Sequence, residues 1–110
     1  MLGKTEELVL LATHKSGVKS TASEIYSIVE QTLSKTMGKT VAFGAIFTTL
    51  ERLAKKGLLK YEKDAPRADY GGRSPRLYSL SSDGARELSR SLNVTKTLAR
   101  GLVLPQPSGT

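Results

Sequence analysis

LLKYEKDAPRADYGGRSPRLYSLS, residues 58–81, is where the sequence changes its period. "LLKYEK" and "RLYSLS" alternate apolar with charged or polar residues, the two-residue repeat of half-buried strands. Between them, Arg67, Arg73 and Arg76 share a short segment with Pro66 and Pro75 and with the adjacent pair Gly71 and Gly72. This predicts a two-stranded hairpin with a long, strongly cationic tip. A solvated loop also fits those residues: glycines for the turn, arginines for solubility. What the charge is for depends on the elements at either side.

Upstream the period is helical. Thr5 can cap a first helix, with Glu6 and Glu7 at its positive end, Leu8, Leu11 and Ala12 along one side, and Ser16–Gly17 as its end. In "STASEIYSIVEQTLSKTMG", Thr21 and Glu24 have capping-box spacing. Ala22, Ile25, Tyr26, Val29 and Leu33 form the apolar side of that second helix, and Gly38 stops it. A third helix is expected from Phe43 or Gly44 to Lys56, closed by Gly57, with Ile46, Phe47, Leu50, Leu53 and Ala54 inward. Downstream, Ser81 or Ser82 caps a final helix from Asp83, in which Ala85, Leu88, Leu92, Ala99 and Leu102 fall near a heptad seam.

Three helices followed by a hairpin is the plan of a winged helix-turn-helix. The expected fold class is therefore mainly α with a small β-hairpin: three helices and a two-stranded wing over residues 1–80, plus a C-terminal dimerisation helix over residues 81–104. Residues 105–110 are expected to form a disordered tail. In such a scaffold the third helix enters the DNA major groove and the wing lies along the backbone. If the third helix is buried along Ile46, Phe47, Leu50 and Leu53, its other side carries Ala45, Thr48, Thr49, Arg52, Lys55 and Lys56 in steps of three and four. Small hydroxyls allow close approach to base edges, Arg52 can fork onto guanine, and the lysines can reach phosphates. On the wing, Arg67, Tyr70, Gly71, Gly72, Arg73 and Arg76 are the matching DNA-contact candidates, since glycines let the main chain approach phosphates or a narrow minor groove. Each surface alone also fits a solvated face. Two cationic surfaces that one scaffold presents together point to double-stranded DNA as the partner.

Composition agrees and excludes other chemistries. The chain has 110 residues, 38% hydrophobic, with no Trp, so its core is modest and a partner subunit is expected to complete it. Seventeen Lys and Arg against ten Asp and Glu leave +7, a field that attracts phosphate backbones. Without cysteine there is no disulfide framework, thiolate nucleophile or zinc-finger spacing. His14 is the sole histidine and has no companion ligand, so no metal or cofactor is expected. "MGKT" at Met37–Thr40 has the end of a phosphate loop, but the earlier glycine would fall at Leu33. The serines lack a base, and the Asn93–Thr95 sequon matters only in a secreted protein. The expectation is a non-enzymatic, cytoplasmic protein with no membrane partner. Tyr26 and Tyr61 are expected in the core or at its edge.

"EELVLLATHKSG" (6–17), "GAIFTTLERLAKKGLL" (44–59) and "GGRSPRLYSLSSDGARELSRS" (71–91) together resemble the PadR-like family of winged-helix transcriptional regulators, in order and spacing. Gly44, Ile46, Leu50, Arg52 and Leu53 fit its third-helix pattern, while Phe47 and Thr48 stand where the family has Tyr-Pro. Gly72, Arg73, Pro75 and Arg76 meet its Gly-Arg-Pro-Arg wing with Ser74 inserted; Tyr78, Leu80 and Gly84 match its second wing strand and the start of its last helix. Of the family's Tyr-Gly-Tyr-Glu-Ile, only Glu24 and Ile25 remain. The resemblance implies a homodimeric regulator, often a repressor responsive to a small-molecule effector, with the C-terminal helix making the dimer. The dimer-interface candidates are Leu8, Leu11, Leu88, Leu92, Leu98 and Leu102. A two-fold dimer would set two reading helices about one DNA turn apart on a palindromic operator. A last helix folded back over its own first helix is the alternative. For function, a winged-helix protein-interaction module and a nonspecific, nucleoid-type DNA coat remain open beside the regulator.

Overall fold

The computed structural model describes residues 1–103 and 105. In chain order they form α1 (Lys4–Ser16), α2 (Ala22–Met37), α3 (Phe43–Lys55), β1 (Leu59–Lys63), a 3-10 turn (Ala68–Tyr70), β2 (Arg76–Leu80) and α4 (Ser82–Ala99). The expected winged helix of three helices and an antiparallel hairpin is observed, followed by a fourth helix. The tail expected over residues 105–110 lies, apart from residue 105, outside the described residues, as does residue 104.

Local chemistry sets the boundaries. Gly3, rather than Thr5, caps α1: its N–H donates to Glu6 Oε1 at 3.0 Å and its carbonyl accepts from Glu7 N at 3.0 Å. At α2 the capping box forms as spaced in the sequence, with Glu24 N donating to Thr21 Oγ1 (3.2 Å) and Thr21 N to Glu24 Oε1 (2.8 Å). Gly38 ends α2 at φ 63°, a left-handed conformation that glycine adopts without strain. Ser81 caps α4 by accepting from Gly84 N at 2.9 Å.

The core lies where α1, α2 and α3 meet the inner face of the hairpin. Val9, Leu10, Ile25, Val29, Ile46, Leu50 and Leu53 are buried there with Leu58, Leu59, Tyr78 and Leu88. Strand register pairs Leu59 with Leu80, Tyr61 with Tyr78 and Lys63 with Arg76, so these six side chains share one face. Tyr78 is the fully buried aromatic, whereas Tyr61 sits at the edge, about half exposed. Ser20 adds a single bridge to β2: Tyr78 N donates to Ser20 O at 2.7 Å and Ser20 N to Tyr78 O at 3.0 Å. The α1–α2 connection is thereby stitched to the wing.

The last helix corrects the expected seam. Leu88 is buried in the core of its own chain and Leu92 packs half-buried against it, so Leu88 is not available as a dimer contact. Ala85 is exposed, and Leu102 lies beyond the end of α4. Ser91 Oγ donates to Glu7 Oε1 at 2.7 Å, fastening the middle of α4 to α1. From Asn93 onward α4 is exposed, including Val94 and Leu98. Leu8 and Leu11 are half-buried and line an apolar groove between α1 and α2 together with Ile28 and Leu33. The fold-back weighed for the last helix therefore holds for its first half, while its second half is exposed.

Candidate nucleic-acid interface

An α-helix advances about 100° per residue, so the face of α3 opposite its core can be located. Ile46, Leu50 and Leu53 are buried, and Thr49 lies beside them at 4% exposure. The outward centre is Gly44, Thr48, Glu51 and Lys55, flanked on one side by Ala45 and Arg52 and on the other by Phe47. The row expected from sequence is turned too far toward α1, and two of its members leave the reading surface. Thr49 is buried with its hydroxyl donating to Ala45 O at 3.0 Å, a local bond that satisfies it inside. Lys56 reaches back to α1, its Nζ 2.7 Å from Glu6 Oε2. Ala45, Thr48, Arg52 and Lys55 are exposed as expected.

Two residues outside the expected row join this surface. Phe47, expected inward, is 37% exposed and stacks on Phe43 with centroids 6.2 Å apart. Glu51 lies near the centre of the face rather than at its edge, and Arg76 of the wing neutralises it at 2.9 Å. The signal for both is the wheel itself: a face centred on Thr48 and Lys55 takes in Glu51, while Phe43 and Phe47 are one turn apart at its flank.

Main-chain bonds order the wing. Asp64 N donates to Pro75 O at 2.9 Å, Arg67 N to Arg73 O at 3.1 Å and Gly72 N to Arg67 O at 3.0 Å, continuing the hairpin beyond its strands. Gly71 and Gly72 turn the tip at φ 62° and 80°, which other residues reach only with strain. Arg67 pairs with Asp69 (3.2 Å) and lies 5.6 Å from the Tyr70 ring centroid. Arg73 is exposed, with no ion pair among the described residues. Arg76 differs: its guanidinium lies 4.5 Å above the Tyr61 ring while holding Glu51. The Tyr78 hydroxyl and Glu51 beside it raise its proton affinity above the ordinary arginine value, against a smaller opposing effect of burial. Arg76 therefore fastens wing to helix instead of standing free at the tip.

These parts enclose one groove of about 680 Å³. Phe43 and Phe47 of α3 form one wall, Tyr70, Gly71 and Arg73 the other, and Ala22 and Ser23 at the start of α2 close an end. The helix and the wing thus open on a common side. Among the described residues no group of three His, Cys, Asp or Glu side chains could hold a metal, and no helix is long and apolar enough to cross a membrane.

No family model matches the chain, and no curated protein matches it. Solved structures do. The chain is similar to Bacillus subtilis PadR in complex with operator DNA, with a TM-score of 0.65 and 17% identity over 96% of this chain and 52% of that one. It thus spans about half the length of that regulator. A PadR-like transcription factor from Bacteroides fragilis matches at TM-score 0.66 and 27% identity, over 84% of this chain and 81% of that one. The Aeropyrum pernix Orc1 protein in complex with DNA matches at TM-score 0.68 and 23% identity, over 92% of this chain and 26% of that one, a likeness of fold alone. With PadR-family regulators among its structural neighbours, the chain has a winged-helix fold similar to theirs.

Proposed function

We propose that this chain is a sequence-specific DNA-binding transcriptional regulator and not an enzyme. It acts in the cytoplasm as a homodimeric repressor on a palindromic operator and is released by a small-molecule effector. The observation that carries the reading is the shared groove: Phe43 and Phe47, on the flank of the outward side of α3, and Arg73, exposed on the wing, line one opening. A major groove about 12 Å wide admits α3, and the wing then meets the flanking backbone, where Arg67, Gly71, Gly72 and Arg73 approach phosphates. Thr48, Arg52 and Lys55 supply side-chain contacts, with Ala45 allowing close approach. Two of the structural neighbours are described in complex with DNA, one of them with its operator. For the dimer, the support is the second half of α4, where Val94 and Leu98 are exposed. The apolar α1–α2 groove, about 320 Å³, is large enough for a small effector.

Selection of bound sequences from random duplexes tests the proposal. The expected result is an enriched motif with two half-sites about 34 Å apart. Binding without enrichment would reduce the protein to a nonspecific coat, and no binding even at low salt would favour a protein-interaction module. Arg52→Ala is expected to weaken the selected site more than random DNA; equal losses would remove Arg52 from base readout.

A further inference from the structure

The exposed aromatic row on α3 has no counterpart in a purely polar reading of this surface. Phe43 and Phe47 are 43% and 37% exposed, yet neither is loose. Tyr26 donates its hydroxyl to Val41 O at 2.8 Å. Phe43 packs edge-on against the Tyr26 ring at 5.4 Å with an interplanar angle of 73°, and Phe47 stacks on Phe43. The row leads from the α2–α3 connection into the groove that Arg73 borders. It also occupies the first two turns of α3, the part of a recognition helix whose side chains reach base edges.

We propose that Phe47, seated on Phe43, reads the 5-methyl group of a thymine in the major groove. The inference rests on the DNA-binding reading above and names part of its specificity. Phenylalanine offers no donor or acceptor, so the major-groove feature it can recognise is the one apolar group there, the thymine methyl. Charge selects a duplex over other apolar partners. Arg73 and Arg76 line the same groove as the row, and Arg76 neutralises Glu51, the carboxylate on the same helix face. A second copy would bring a like-charged rim to the contact, whereas a duplex presents methyl groups recessed between phosphates. Because stacking already fixes the Phe47 ring, little side-chain freedom is lost on contact.

The test compares a selected operator duplex with the same duplex carrying deoxyuridine for every thymine, which deletes only the methyl groups. Wild-type protein is expected to bind the uracil duplex at least about fourfold more weakly, the factor that burying one methyl-sized group is worth. Single substitutions should trace the loss to the same one or two positions in each half-site. The ratio between the duplexes should shrink in the order wild type, Phe47→Leu, Phe47→Ala, with helicity checked by circular dichroism; Leu retains an apolar tip where Ala retains none. Equal binding of both duplexes by the wild type would overturn the inference and leave the regulator reading intact. A ratio unchanged across the three proteins would do the same, assigning the methyl contact elsewhere. Failure of the wild type to bind either duplex at low salt would sink both.

Discussion

At Arg76 the guanidinium is shared between the Glu51 carboxylate at 2.9 Å and the Tyr61 ring at 4.5 Å, whereas Arg73, three residues earlier, is exposed at the wing tip. The two arginines should therefore answer differently to salt. Releasing counterions from one phosphate contributes about 0.9 to the slope of log affinity against log salt. Arg73→Ala is expected to flatten the slope by about that amount. Removing Arg76 and Glu51 together, as Arg76→Met with Glu51→Gln, deletes one charge of each sign and is expected to leave the slope unchanged. Fluorescence anisotropy across a salt series distinguishes the two, and equal flattening would return Arg76 to the set of phosphate contacts. A second residue-scale consequence concerns acid. The Lys56 ammonium and the Gly3 N–H hold Glu6 below its usual value of 4.5, outweighing its burial, while Ser91 and Lys4 lower Glu7. A carboxylate whose pKa is depressed on folding contributes stability that is complete above its unfolded value and is lost as pH falls through its folded one. Urea midpoints should therefore hold steady above about pH 4.5 and fall below it. Glu6→Gln should make that fall shallower; an equally steep acid limb in the variant would place the titration elsewhere.

Among the elements, the junction of α3, β1 and α4 fixes where the wing sits. Ser81 Oγ donates to Gly57 O at 2.6 Å, Ser81 N donates to Leu58 O at 3.2 Å, and a Cβ built on Gly84 would lie 1.9 Å from Leu58 O. The obstacle is backbone carbonyl rather than a side chain that can swing away, so Gly84→Ala must push α4 off the turn. A loss of about 3 kcal/mol in urea unfolding is expected, as for overpacking at a site that cannot relax; a change below about 0.5 kcal/mol would show that the junction yields. This is also where the sequence is most legible. Capping spacing at Thr21 and Glu24, the stop at Gly38 and the change of period at Leu59 are local features, and each element they mark is observed. The candidate site is legible less completely because facing is a tertiary property. Hydrophobicity alone points Phe47 inward, but the hairpin, not visible from α3 alone, leaves a groove there instead of a packed core. Polarity alone points Thr49 and Lys56 outward, but a bond to Ala45 O satisfies one inside and Glu6, fifty residues away in sequence, recruits the other.

For the whole molecule, the radius of gyration of 16.1 Å exceeds the roughly 13 Å expected for a compact chain of this length, and projecting α4 contributes to the difference. The helix is 18 residues, about 27 Å; its first half is anchored by Leu88 and by the Ser91–Glu7 bond, while Val94 and Leu98 stand 49% and 77% exposed in its second half. An amphipathic segment that leaves its apolar residues in water is expected to pair. The halves of α4 then have separable roles. Val94→Glu with Leu98→Glu is expected to halve the mass seen by analytical ultracentrifugation. It should leave helicity and single half-site binding in place while abolishing the affinity gained from the second half-site. Leu88→Ala should instead destabilise the monomer by about 2–4 kcal/mol, because it opens a cavity in the core rather than an interface. A wild-type chain that sediments as a monomer at micromolar concentration, or a double-glutamate variant that remains dimeric, would detach α4 from assembly and require the two half-sites to be filled independently.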